Sequence, residues 1–108
     1  MADKQNKYDY EDDVILEDEE EVELKPPSMY KVLFHNDDYT SMEFVVLILQ
    51  IIFHKSTEES NKIMLDVHYN GVGVVGIYTY EVASTNIYLV EKLAEENEFP
   101  FKATMEPV

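Results

Sequence analysis

A chain of 108 residues, 45% of them apolar, is long enough for one domain with a single modest core. It contains no cysteine, which excludes a disulfide framework and a thiolate metal site and is compatible with a reducing compartment. Its net charge of −15, with no arginine, disfavours nucleic acid binding, because phosphate contacts need a basic face.

Residues 1–24 carry 11 acids and only 2 lysines. Repulsion between like charges and a small apolar content predict a disordered extension, which either solubilises the chain or tethers it to a partner. Lys25-Pro26-Pro27 is predicted to mark the boundary with a folded domain over residues 25–108. No charged-then-apolar leader opens the chain, so we expect no secretory signal. The longest apolar stretch, from Met42 to Phe53, is shorter than the roughly 20 residues of a membrane span, so we expect no membrane association.

The first half of the domain is predicted to contain one strand and two helices. Apolar alternation predicts a strand from Met29 to His35. A helix from about Ser41 to His54 is apolar on almost every face, which is typical of a buried central helix. Ser56 and Glu59 form a capping box that opens a second helix, which extends to about Tyr69 and is capped by Gly71. The predicted inward stripe of this second helix is Ile63, Met64, Val67 and His68.

The second half is predicted to contain strand, helix and strand. Residues 72–78 are β-branched and glycine-punctuated, as in a strand. A third helix is predicted from Thr79 or Tyr80 to about Asn97, with an inner face of Val82, Ala83, Ile87, Val90 and Ala94. Pro100 ends it, and residues 101–105 form a last strand. The order β-α-α-β-α-β predicts a small α/β (α+β) sandwich of three strands backed by three helices, with an antiparallel or mixed sheet.

A polar stretch, residues 36–43, lies between the first strand and the first helix. Thr40 and Glu43 have the spacing of a capping box. This arrangement would fix the loop and leave Asn36, Asp37 and Asp38 facing outward as a compact group of acceptors. Such a group suits a small cation, either a metal ion or an ammonium group.

The sequence suggests three other functions with unequal support. Residues 71–76 match G-x-G-x-x-G, but they follow a helix and enter a strand, which is the wrong context for dinucleotide binding. A metal-dependent hydrolase using Asp37, Asp38 and His68 is chemically possible, although no spaced pair of histidines supports it. A third possibility is an interaction domain whose apolar groove binds an internal peptide helix.

Several separated motifs resemble the ClpS family in order and spacing, from about residue 25 to the C-terminus. They are Lys25-Pro26-Pro27-Ser28-Met29-Tyr30-Lys31-Val32, Asn36-Asp37-Asp38-Tyr39-Thr40, Met42-Glu43-Phe44-Val45, Met64-Leu65 with Val67-His68, Thr79 with Glu81-Val82-Ala83, and Glu96-Asn97-Glu98 before Pro100. ClpS proteins are cytoplasmic, non-enzymatic adaptors that carry N-end-rule substrates to the ClpA unfoldase of the ClpAP protease. The resemblance therefore implies a monomeric adaptor with two kinds of partner, a ClpA-type AAA+ unfoldase and proteins bearing an N-degron, and no catalytic residue, metal or cofactor.

The resemblance also implies which residues bind. The substrate's α-ammonium would be held by Asn36, Asp37, Asp38 and His68. Its first side chain, Leu, Phe, Tyr or Trp, would enter a pocket lined by Phe34, Thr40, Met42, Val45, Met64, Val67 and Phe101. Met42 resembles the family's gate against β-branched first residues. Glu81 would face the unfoldase.

Three positions depart from the family pattern. Ser41 replaces the usual Pro, which reduces pre-organisation at the helix start but keeps a cap. Phe101 replaces a common Leu and is expected to narrow the pocket. Asn86 replaces a frequent basic residue on the surface that faces the unfoldase.

Overall fold

The computed structural model describes residues 26–108, so the predicted acidic extension lies outside the described residues. Within these residues the chain forms three strands and three helices in the predicted order. They are β1 (Met29–His35), α1 (Met42–Ile51), α2 (Thr57–Asn70), β2 (Val72–Thr79), α3 (Tyr80–Glu96) and β3 (Lys102–Pro107). Within this range no helix combines the length and the apolar character that crossing a membrane requires.

The three strands form one antiparallel sheet in the order β2-β1-β3. The central strand β1 pairs Phe34 with Gly73 on one side and with Ala103 on the other. The register of β1 against β2 shifts between Val32 and Leu33, which accommodates one extra residue in β2. The predicted fold class is confirmed, and the sheet is antiparallel throughout.

The helices pack on one face of the sheet. Alternate strand residues such as Val32, Phe34 and Val75 point toward them and join one buried apolar cluster. On the other face, Val74 and Ile77 of β2 are exposed.

Three details of the helical layer differ from the prediction, and one is on α2, where His68 of the predicted inward stripe is exposed. Helix α1 buries Phe44, Val45, Ile48 and Leu49, but Met42, Leu47 and Ile51 are exposed, so it is not a central helix buried on every face. Helix α1 therefore has more apolar side chains than the core buries. On α3, Ala83, Val90 and Ala94 are buried as predicted, whereas Val82 is exposed.

The helix ends follow local side-chain chemistry. The cap of α1 is Ser41, whose Oγ accepts a hydrogen bond from the Phe44 amide at 3.1 Å, and the predicted Thr40–Glu43 capping box is wrong. Ser56 caps α2 as predicted, accepting from the Glu59 amide at 3.0 Å. Gly71 ends α2 with φ of 86°, a conformation that glycine adopts without steric cost.

Gly73 allows α2 to approach β2 closely. A Cβ atom at this position would lie 2.7 Å from Cγ2 of Val67 and 3.4 Å from the Ile63 carbonyl oxygen. Val67 is buried and β-branched, so it has little rotameric freedom to move aside.

We predict that Gly73→Ala lowers the free energy of unfolding by about 1–3 kcal/mol through overpacking. Urea denaturation followed by circular dichroism measures it. The matched control is Val74→Thr, next in the strand but on the exposed face, which should change stability by less than about 0.5 kcal/mol. An unchanged midpoint for Gly73→Ala would contradict the close packing of α2 on β2.

Candidate functional site

A cleft of about 210 Å³ lies between the β1–α1 loop, the first turns of α1 and the last turns of α2. Its lining combines polar residues of the loop with apolar residues of the two helices. The residues are Asn36, Asp37, Asp38, Thr40, Met42, Val45, Met64, Val67 and His68. Nine of the predicted binding residues are therefore brought together in one place.

Asp37 organises the loop. Its Oδ1 accepts hydrogen bonds from the amides of Tyr39 at 2.7 Å and Thr40 at 2.9 Å. Its Oδ2 accepts from the Thr40 hydroxyl at 2.6 Å. The expectation that Asp37 simply faces outward is therefore incomplete, because three of its acceptor sites are used within the loop. The Thr40 hydroxyl donates to Asp37 and does not cap the helix.

The start of the loop is tied to the end of α2. The backbone N–H of Asn36 donates a hydrogen bond to the backbone carbonyl of Gly71 at 3.0 Å. This bond holds Asn36 near the last turn of α2, which carries His68. The side chains of Asn36, Asp38 and His68 are exposed, so their polar atoms can be reached from solvent. One rim of the cleft is thus a group of hydrogen-bond acceptors that solvent can reach.

The floor and the opposite wall of the cleft are apolar. Val45 and Val67 are almost fully buried and belong to the core cluster, so this wall is fixed by the packing of the domain. Met42 and Met64 lie nearer the opening, and Met42 is 41% exposed. Unbranched methionine side chains adapt to varied shapes. The arrangement suits a group that is cationic at one end and apolar at the other.

Phe34 and Phe101 do not line the cleft. Both are buried, and their rings pack edge to face with centroids 5.0 Å apart in the core. They belong to the same cluster as Val45 and Val67 and so lie in the layer that supports the cleft wall. The expected narrowing of the pocket by Phe101 has no direct counterpart in the lining.

Glu81 lies at the other end of the domain. It is exposed in the first turn of α3, directly after β2, whose last residue Thr79 pairs with Met29 at the start of β1. The cleft lies beyond the opposite end of β1, about 20 Å away for a strand of this length. Glu81 borders a separate depression that also contains Pro27, Tyr30 and Tyr80.

No metal-ligand cluster is found among residues 26–108, because their His, Asp and Glu side chains nowhere come together in a group of three that could hold an ion. Asp37, Asp38 and His68 share the cleft, but they do not form such a group. The hydrolase interpretation therefore has no support from the arrangement of ligands in this part of the chain.

A second cavity, beside the cleft, was not predicted. It lies between α1 and α2 and includes Val46, Leu47 and Gln50 of α1. The signal was present in the sequence, because a helix of ten residues that is apolar on almost every face has more apolar surface than a small core can bury. The sequence-based expectation was that these apolar side chains are buried.

The chain is similar to known proteins over most of its length. The family model described as ATP-dependent Clp protease adaptor protein ClpS matches residues 25–104. The ATP-dependent Clp protease adapter protein ClpS of Myxococcus xanthus is 52% identical over 101 residues, 94% of either chain. The protein of the same name from Acetivibrio thermocellus is 56% identical over 93 residues, which cover 86% of this chain and 94% of that protein.

A solved structure shares the fold. It is described as Agrobacterium tumefaciens ClpS2 bound to L-phenylalaninamide, and it is 35% identical with a TM-score of 0.74, covering 77% of this chain and all of that chain. The fold is that of a Clp protease adaptor domain. The chain belongs to the ClpS family.

Proposed function

We propose that this protein is a non-enzymatic adaptor that binds proteins by a free α-amine and a first side chain of Leu, Phe, Tyr or Trp, and delivers them to the ClpA unfoldase of the ClpAP protease. One observation carries the proposal: a single small cleft joins exposed acceptors on one rim to an apolar wall on the other. A protein N-terminus has the same two parts, an ammonium group and a side chain, separated by one carbon atom.

The ammonium group would lie against the polar rim. It has three N–H donors, and the Asn36 side-chain oxygen, the carboxylates of Asp37 and Asp38 and a neutral His68 ring nitrogen are acceptors. Asp37 Oδ2 receives one hydrogen bond from Thr40, which leaves it room to accept another. Each charge-assisted hydrogen bond contributes about 1.5–3 kcal/mol.

The first side chain would enter between the two valines and the two methionines. Clefts for drug-sized ligands occupy about 300–1,000 Å³, so a cavity of about 210 Å³ suits a single side chain. Burial of a Leu or Phe side chain contributes about 1.5–3 kcal/mol. We expect a binding free energy near −8 kcal/mol once the ammonium contacts are added and the free-energy cost of association is subtracted. This corresponds to a micromolar dissociation constant.

The neighbouring ClpS2 structure supports this choice of ligand. L-phenylalaninamide, named as its ligand, has a free α-amine, a benzyl side chain and an uncharged amide in place of a carboxylate. It therefore has the chemistry of an N-terminal Phe residue whose chain continues through a peptide bond. We carry that ligand class over to the cleft of this protein.

Delivery would use the other end of the domain. Glu81, at the start of α3, is proposed to contact the unfoldase, which leaves the cleft and its cargo free. Separation of the two surfaces by the length of β1 lets the adaptor hold substrate and unfoldase at once. We propose that it does so as a monomer in the cytoplasm.

We predict that dye-labelled peptides beginning with Leu, Phe, Tyr or Trp bind at least tenfold more tightly than peptides beginning with Ile or Val. Met42, at the mouth of the cleft, would crowd a substituent on the β-carbon of the first residue. Met42→Ala should admit Ile and Val while changing Leu affinity by less than about tenfold, since it removes part of one apolar contact. Fluorescence anisotropy with one peptide panel measures all of these affinities.

The matched control is Leu65→Ala, an exposed leucine on α2 outside the cleft, which should leave the ranking unchanged. Equal affinities for all first residues, Gly included, would overturn the proposed function.

A further inference from the structure

A larger cavity of about 460 Å³ continues from the cleft along the surface between α1 and α2, and we call it the α1–α2 groove. It shares Met42 and Met64 with the cleft, so these two methionines form a common wall. The rest of its lining is Glu43, Val46, Leu47, Gln50 and Asn61. The function proposed above uses none of these five side chains.

The groove has a direction relative to the cleft. On α2, His68 borders the cleft, Met64 borders both cavities, and Asn61 borders only the groove. With a rise of 1.5 Å per residue, His68 and Asn61 are separated by about 10 Å along the helix axis. A chain whose amine lies at His68 therefore needs only about three extended residues to reach the far end of the groove.

We infer that the α1–α2 groove is a second subsite that takes an apolar side chain at the third residue of the substrate; the inference rests on the proposed function. Successive side chains of an extended chain point to opposite sides, so residues 1 and 3 share a side and are about 7 Å apart. Two neighbouring cavities with a common wall match that spacing. The second side chain points to solvent.

The floor of the groove fits an apolar occupant. Leu47 is 45% exposed although it lies on an apolar helix, and Val46 beside it is half-buried. Covering these side chains with a leucine would remove apolar surface of both partners from water. Gln50 and Asn61 lie at the edge, where they can remain hydrated.

Electrostatic repulsion disfavours two other occupants of the α1–α2 groove and so favours the substrate. Residues 1–24 of this chain are strongly acidic, with 11 acids and 2 lysines, and would be repelled by Glu43 in the groove. A second copy would bring two chains of net charge −15 together. A substrate held by its ammonium group instead brings a positive charge to the end of the groove that adjoins the cleft.

The test uses three peptides that carry the same C-terminal dye and begin Leu-Gly-Gly, Leu-Leu-Gly or Leu-Gly-Leu. Leu-Gly-Leu should bind about three- to tenfold more tightly than Leu-Gly-Gly, as expected for partial burial of one leucine. Leu-Leu-Gly, with the same composition, should resemble Leu-Gly-Gly. Leu47→Gln should abolish the gain at position three and leave the affinity for Leu-Gly-Gly unchanged.

The control variant is Leu65→Gln, because Leu65 has a similar exposure of 43% and borders neither cavity; it should keep the gain. Equal affinities for Leu-Gly-Leu and Leu-Gly-Gly, with dependence on the first residue retained, would overturn this inference alone. Loss of dependence on the first residue would instead overturn the proposed function. A concentration-dependent dimer in sedimentation that Leu47→Gln dissociates would assign the groove to a second copy and would also overturn the inference.

Discussion

Acetylation of the substrate's α-amine is expected to weaken binding by at least about 100-fold. Acetylation removes the positive charge and replaces an ammonium group that has three donors with an amide that has one. Loss of two charge-assisted hydrogen bonds at about 1.5–3 kcal/mol each already exceeds the roughly 2.7 kcal/mol that corresponds to 100-fold. The added carbonyl oxygen would also face the carboxylates of Asp37 and Asp38.

The measurement is a titration of a Leu-initiated peptide and its acetylated twin by fluorescence anisotropy. A third peptide, acetylated on an internal lysine but with a free N-terminus, controls for the added group and should bind normally. Equal affinity of the first two peptides would show that the polar rim does not recognise an ammonium group. It would instead favour an interaction domain that binds internal segments.

The strands and the helix order could be predicted because each element carries its own local signal. In β1, Val32 and Phe34 belong to the core cluster while Leu33 between them does not, and Gly71 follows the last residue of α2 at a place that requires a positive φ. The antiparallel register was not predictable in this way, since the extra residue in β2 opposite Val32 and Leu33 depends on pairing between distant segments.

The cap of α1 shows why local patterns fail at the site. Thr40 and Ser41 are both good caps, and the spacing of Thr40 to Glu43 favoured the wrong one. In the fold, the Thr40 hydroxyl is used by Asp37, which leaves Ser41 to receive the Phe44 amide. The competition is decided by the loop as a whole, which no single spacing describes.

The residues of the cleft came from a family resemblance, and the structure adds how they are held together. Nine of the eleven predicted residues line one cavity, whereas Phe34 and Phe101 lie in the core beneath. The sequence alone could not distinguish residues that line the cleft from residues that support its wall from the core, because both kinds of residue are apolar. Only the packing of α1 and α2 on the sheet decides which apolar side chains reach the opening.

Asp37→Ala is expected to weaken binding of a Leu-initiated peptide by about 100-fold and to lower the free energy of unfolding by about 1–2 kcal/mol. The binding loss has two causes: one carboxylate is removed, and the amides of Tyr39 and Thr40 lose the acceptor that shapes the loop. We expect this loss, and that of His68→Ala, to exceed the loss for Met42→Ala. Anisotropy and urea denaturation give the two quantities.

Asp38→Ala is the matched control, because it removes the same charge from the same loop, but Asp38 is exposed and receives none of the three hydrogen bonds that Asp37 accepts. It should weaken binding less than Asp37→Ala and leave the urea midpoint unchanged.

Asp37→Asn separates the two causes of the binding loss. The side-chain oxygen of the asparagine can still accept hydrogen bonds from the loop amides. The side chain is uncharged, however, and its NH2 group cannot accept a hydrogen bond from the Thr40 hydroxyl. It should therefore recover most of the stability and little of the affinity. If Asp37→Ala instead binds as tightly as the unsubstituted protein while losing stability, Asp37 only supports the loop, and the ammonium group is held by Asn36, Asp38 and His68 alone.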